Sequence, residues 1–140
     1  MTVRTPLVAD VLALAAGCSS GPETAQLSGK VTFKDQPVPA GWVQFTPDVA
    51  AGGLGQSRVY QVKDGRYDSA GSGQPALVPG TYLIRIAGFD GKKIPYYGQG
   101  KQIFNPVDDR YTVSSGTSTK DFVIPESAGK DVKIQPTADE

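Results

Sequence analysis

The stretch 64–86 carries two sharp turn signals, Asp64-Gly65 and Pro79-Gly80, and each leads into a short alternating run that contains a tyrosine. Asp and Gly both tolerate positive φ, as a two-residue hairpin turn demands, and Pro-Gly fixes one dihedral while supplying the bend after it. Behind the second turn, Tyr82, Ile84 and Ile86 fall on one face of an extended chain and Thr81, Leu83 and Arg85 on the other. A period of two with one aromatic and aliphatic face predicts strands that bury that face, with Tyr67 and Tyr82 in a core.

The rest of the chain repeats the pattern. Leu27, Gly29, Val31 and Phe33 share one side of a run over 27–33, and Val43 and Phe45 point inward from a second over 41–47, with 34–39 as a turn and a short extended piece between them. Residues 57–62 form a third strand, which Asp64-Gly65 turns into 66–68. Residues 94–107, rich in Gly, Pro, Tyr and Asn, read as a long connection of the kind that carries function or packs on its own side chains. Strands over 110–113 and 119–124 and an edge strand over 131–134 complete the reading. With 17 Gly and 11 Pro in 140 residues and no helical periodicity, the chain is predicted to be all-β, a β-sandwich over residues 26–135 followed by a frayed end at 136–140.

Residues 1–17 read as an export signal, with Arg4 at its start, a mostly apolar stretch over 7–16 interrupted by Asp10, and small residues before Cys18. Leu14-Ala15-Ala16-Gly17-Cys18 looks like a bacterial lipobox, cleaved between Gly17 and Cys18 so that the lipidated Cys18 becomes the N-terminus of the mature chain. Residues 18–25, with Ser19-Ser20-Gly21-Pro22, then form a flexible tether. No second cysteine exists to form an intramolecular disulfide, so the fold must rely on packing. The 14 basic and 14 acidic side chains balance, which argues against nucleic acid or an anionic membrane surface as an electrostatic partner. The expected address is therefore the cell envelope, with a membrane held through the lipid on Cys18.

Ser28-Gly29-Lys30-Val31-Thr32-Phe33, Pro37-Val38-Pro39-Ala40-Gly41 and Val43-Gln44-Phe45-Thr46-Pro47 occur in that order, followed by Asp64-Gly65-Arg66-Tyr67 and Pro79-Gly80-Thr81-Tyr82. Over about residues 25–125 this order resembles the carboxypeptidase regulatory-like (transthyretin-like, prealbumin-like) domain, and in particular the small lipoproteins of planctomycete-type bacteria that carry it. Ile94-Pro95-Tyr96-Tyr97 stands near the place of an Ile-Pro-x-x-Tyr-like segment of those proteins. The resemblance implies a seven-stranded Greek-key sandwich, immunoglobulin-like or prealbumin-like, that serves as an accessory or interaction module without catalysis. Val62 stands where relatives often place a second Asp before the Asp-Gly turn, so no calcium turn is implied.

The side chains that could carry chemistry point the same way. With no His in the chain, the commonest general base and metal ligand is missing, and a Ser–His nucleophile cannot be built. The group's hydrolase activity on 5-hydroxyisourate depends on histidines and a C-terminal Tyr-Arg-Gly-Ser-type motif, and the chain has neither. No cofactor and no metal are expected; Asp64, Asp108 and Asp109 read as turn residues. The binding candidates are Trp42, Tyr96, Tyr97 and Phe104, aromatic rings that either cover the open end of the sandwich or stack on a polysaccharide of the envelope, the alternative to a protein partner.

Overall fold

The computed structural model describes residues 23–96 and 98–132. Nine strands follow one another: β1 (Ala25–Phe33), β2 (Gln36–Pro37), β3 (Ala40–Pro47), β4 (Arg58–Lys63), β5 (Arg66–Asp68), β6 (Gly80–Phe89), β7 (Gln102–Val113), β8 (Gly116–Thr119) and β9 (Phe122–Ile124). Single 3-10 turns occur at Val49–Ala51, Ala70–Ser72 and Glu126–Gly129. The protein is all-β, as its alternation predicts.

The strands form one curled sheet in the order β2-β1-β5-β4-β3-β6-β7, antiparallel along that path, with β8 and β9 lying parallel to β1. Tight turns set the registers. Asp64 (φ 51°) and Gly65 (φ 75°) both adopt the left-handed conformation that a twist-matched hairpin turn requires. Gly65 has a second reason to lack a side chain, because a Cβ there would sit 2.5 Å from the Pro37 ring. Lys34 (φ 50°) and Asp35 (φ 60°) make the equivalent turn between β1 and β2.

One apolar core fills the curl. Val31, Val43, Phe45 and Phe104 are wholly buried, and Phe45 sits among three tyrosines, with ring centroids 5.6 Å from Tyr60, 6.2 Å from Tyr67 and 6.0 Å from Tyr82. Tyr82, Ile84 and Ile86 face inward from β6, while Leu83 and Arg85 lie outside. The alternation in 64–86 is thus realised as read.

One expectation is corrected. Residues 94–107 are not one connection: β7 begins at Gln102 and runs through Asn105-Pro106 and Asp108-Asp109 to Val113. Against β6 the register steps from Ile86↔Val107 to Gly88↔Phe104, so two residues, Asn105 and Pro106, oppose the single Ala87. Such a bulge on an edge strand is where a proline can sit in a sheet, since no ladder partner calls for its missing N–H. Of the edge strand read over 131–134, Asp131 and Val132 lie outside any strand and residues 133 and 134 fall outside the described residues.

Candidate functional site

The predicted aromatic candidates separate into two groups. Phe104 is not a surface platform: it is fully buried, packs against Phe33 at 5.2 Å between centroids, and belongs to the core. This corrects the expectation, and the cause is the bulge, which turns Phe104 inward from what read as a loop. Tyr97, Gly17 and Cys18 lie outside the described residues. Trp42 and Tyr96 remain as surface aromatics.

Trp42 lies half-buried on the outer face of β3, between Gln61 on β4 and Ala87 on β6 in the register. The segment from Asp90 to Lys101 folds beside it. Asp90 closes the foot of this loop: its Oδ1 accepts from the backbone N–H of Lys92 (2.9 Å) and of Lys101 (3.1 Å), and its own N–H donates to the Lys101 carbonyl (2.9 Å). Gln99 Nε2 donates to Gln61 Oε1 at 3.0 Å, tying the loop to the strand residue paired with Trp42. Ala87 is buried although it faces outward. Tyr96 stands on this loop at φ 75° with its side chain 99% exposed. A bulky residue in the left-handed region is uncommon, and here it coincides with a ring held entirely in solvent. Trp42 and the Tyr96 loop therefore share one outer surface, a face that could offer apolar ring area edged by the amides of Gln44, Gln61 and Gln99.

The carboxylates have other tasks. Asp64 is the hairpin turn residue. Asp108 and Asp109 lie in β7 rather than in a turn, a further correction. Asp108 pairs with Arg85 at 3.0 Å across the ladder, and Asp109 accepts from the Arg110 N–H at 2.7 Å. Asn105 Nδ2 donates to the carbonyls of Lys130 (3.1 Å) and Asp131 (3.4 Å), holding the segment after β9 against β7. Among the described residues no three His, Cys, Asp or Glu side chains gather within reach of one metal ion.

A groove of about 430 Å³ that the sequence did not announce runs between β7 and β9, the two ends of the curl. Ile86, Val107, Phe122 and Ile124 contribute apolar surface and Asp109 and Asp121 its charged rim. Lys120 bridges it, its Nζ 5.2 Å from the Tyr111 ring centroid and 5.6 Å from that of Phe122. An ammonium over two ring faces closes a seam that no backbone ladder spans. No signal in 119–124 marks this lysine, because its role depends on a ring from a different strand. No protein-family model matches the chain, and no curated protein matches it either.

Proposed function

We propose that the protein is a lipid-anchored, non-catalytic module of the cell envelope, built on a carboxypeptidase regulatory-like sandwich and serving a structural or protein-interaction role. The observation that carries this reading is the position of the lone cysteine, at the end of Leu14-Ala15-Ala16-Gly17-Cys18 and a short polar tether away from β1. Several acyl chains on one cysteine give durable attachment where a single chain is marginal. The seven-stranded Greek-key architecture is part of the proposal. It is supported by the brevity of β2, two residues long, and by the way β8 and β9 together continue along β1 as one interrupted strand; the nine strands then reduce to seven. The absence of histidine supports a role without catalysis.

Mass spectrometry of the N-terminal peptide after detergent extraction tests the anchor. The expected species begins at Cys18 and carries thioether-linked and amide-linked lipid. A chain that still begins at Met1, or a bare Cys18, would overturn it.

A second reading, a carbohydrate-binding envelope module, is favoured by one observation: the fully exposed Tyr96 ring on a loop tied beside Trp42. Arrays of plant, algal and peptidoglycan polymers test it, with binding that is lost in Tyr96→Ala as the expected result. Silence across all three classes would sink it.

A further inference from the structure

The two ends of the curled sheet differ in charge. At one end lie the Lys34-Asp35 and Asp64-Gly65 turns and the loop with Asp90, Lys92, Lys93 and Lys101. At the other lie three connections, 49–57, 69–81 and 114–115 with their flanking strand residues out to 111–119, and none of these stretches contains Lys, Arg, Asp or Glu. Val49 and Leu54, 79% and 71% exposed, project from the first. Among the described residues the only other aliphatic side chain so exposed is Val123, on β9.

The chain toward Cys18 leaves from this same uncharged end. Ala25 exchanges backbone hydrogen bonds with Leu77 (2.8 and 3.1 Å), and the Gly116 N–H donates to the Thr24 carbonyl at 3.0 Å. Val78, next to Leu77, lies against the loop that bears Leu54: a Cβ built on Gly55 would rest 3.5 Å from its Cγ2. The Asp48 N–H donates to the Thr81 carbonyl at 2.9 Å, fixing the start of that loop. The charges that border this end are engaged: the Asp48 carboxylate by Arg110 at 2.7 Å, the Asp68 Oδ1 by the Ala70 N–H at 2.9 Å, and the Arg58 Nη1 by Gln56 Oε1 and the Ser57 carbonyl at 3.3 Å each. Residues 18–24 can span at most about 25 Å when fully extended, so a lipid on Cys18 would hold this end close to the bilayer.

We propose that the uncharged end of the domain is a membrane-contact surface, with Val49 and Leu54 entering the interfacial region of the lipid bilayer and the Tyr96 loop facing away from it. The inference rests on the lipid-anchor reading for its orientation. Connections without formal charge, bordered by charges already engaged within the protein, approach the headgroups with little stripping of water from ions, and exposed aliphatic side chains on a glycine-rich loop gain from entering the acyl boundary. Tethering keeps the contact at high effective concentration, so a weak insertion suffices to orient the domain.

Three full-length chains test this: Leu54→Cys, Val49→Cys and Tyr96→Cys, each labelled with bimane and reconstituted in phosphatidylcholine vesicles with or without brominated acyl chains. Lipidation of Cys18 blocks its thiol, so the label reports the introduced site alone. Labels at 54 and 49 are expected to lose at least about half their emission in brominated vesicles, as insertion of about 5–10 Å would bring, and the label at 96 to keep its emission. All three substituted positions are exposed, so folding is not at stake. Lipid on Cys18 with no quenching at 54 or 49, or with equal quenching at 96, overturns the contact and leaves the anchor standing. Where mass spectrometry shows Cys18 to be bare, its thiol would also take the label, so the three variants are then read in a Cys18→Ser background; quenching at 54 and 49 there keeps the contact and removes the anchor. A bare Cys18 without quenching removes both.

Discussion

Tyr60, Tyr67 and Tyr82 surround the same phenylalanine, yet their hydroxyls meet different surroundings. Tyr67 donates to the Lys120 carbonyl at 2.6 Å and Tyr82 to the Val78 carbonyl at 2.6 Å, whereas the buried Tyr60 hydroxyl has no hydrogen-bond partner among the described residues. A buried hydroxyl without a partner costs stability, and one that satisfies a carbonyl contributes to it. Tyr67→Phe is therefore expected to lower the unfolding free energy by about 1–2 kcal/mol, and Tyr60→Phe to leave it unchanged or raise it by up to about 1 kcal/mol. Urea titration of the two variants separates the cases; equal losses would contradict the assignment. All three tyrosines also shape the alkaline limit. Burial pushes Tyr60 up to about 12 and raises Tyr67 and Tyr82 as well, with the Arg58 charge opposing the shift at Tyr60 and at Tyr82. Below the ordinary tyrosine value of 10.0 these groups are protonated in both states, and their contribution is fully present. Above it the unfolded chain loses protons first, so stability falls as pH rises, by up to about 1.4 kcal/mol per pH unit for each tyrosine. Denaturant midpoints measured on either side of pH 10, followed with tyrosinate absorbance, should show ionisation coinciding with unfolding.

Between β6 and β7, one approach of a ring to the backbone depends on a residue with no side chain. A Cβ on Gly88 would lie within 2.6 Å of Phe104 Cζ and 3.0 Å from a methyl of Val38, and neither neighbour has room to retreat from a filled core. Gly88→Ala is expected to cost about 1–3 kcal/mol, and pairing it with Phe104→Leu should return part of that loss. A double-mutant cycle by thermal denaturation checks it, with strict additivity as the contrary result. The same pair of strands shows where sequence reading reached its limit. Alternation located Tyr82, Ile84 and Ile86 because β6 keeps its period of two without interruption along that face. In β7 the inward side chains step from Phe104 to Val107, three residues rather than two, and Pro106 at the step reads as a strand breaker. With Pro106 read as a breaker, Phe104 falls into the connection over 94–107, and the inserted residue hides its inward side from a period of two. Tyr96 stands in the sequence only as a loop aromatic, exposed or covering the open end of the sandwich; its attachment beside Trp42 through Gln99 and Gln61 is not legible, because amide pairs leave no periodic trace.

At the scale of the whole molecule, the first strand is completed by the last two. Ala25 pairs with Gly116 and Phe33 with Ile124, both partners 91 positions further along (116 − 25 and 124 − 33). Two side-chain features bridge the step between them: the Asp121 Oδ1 accepts from the Lys30 N–H at 2.9 Å, and the space left by Gly29 admits the Lys120 carbonyl. Polar runs such as Gly116–Thr119 give no sequence sign of this closure, whose only specificity is the ladder itself. Because contacts of such separation form late, folding is expected on the millisecond-to-second scale of non-local β-topologies, and a chain ending at Val113 should lack the cooperative unfolding transition of the intact protein. Stopped-flow refolding and thermal scans read both, and a cooperative transition in the shortened chain would count against the closing role of β8 and β9. The parallel pairing also has a mechanical consequence. A pull on Thr24 from a tether, resisted at the far end of the sheet, runs along the axis of β1. The transverse ladder bonds to β8, β9 and β5 are then loaded together in shear, so the domain gives way by breaking many bonds at once rather than by unzipping one bond at a time.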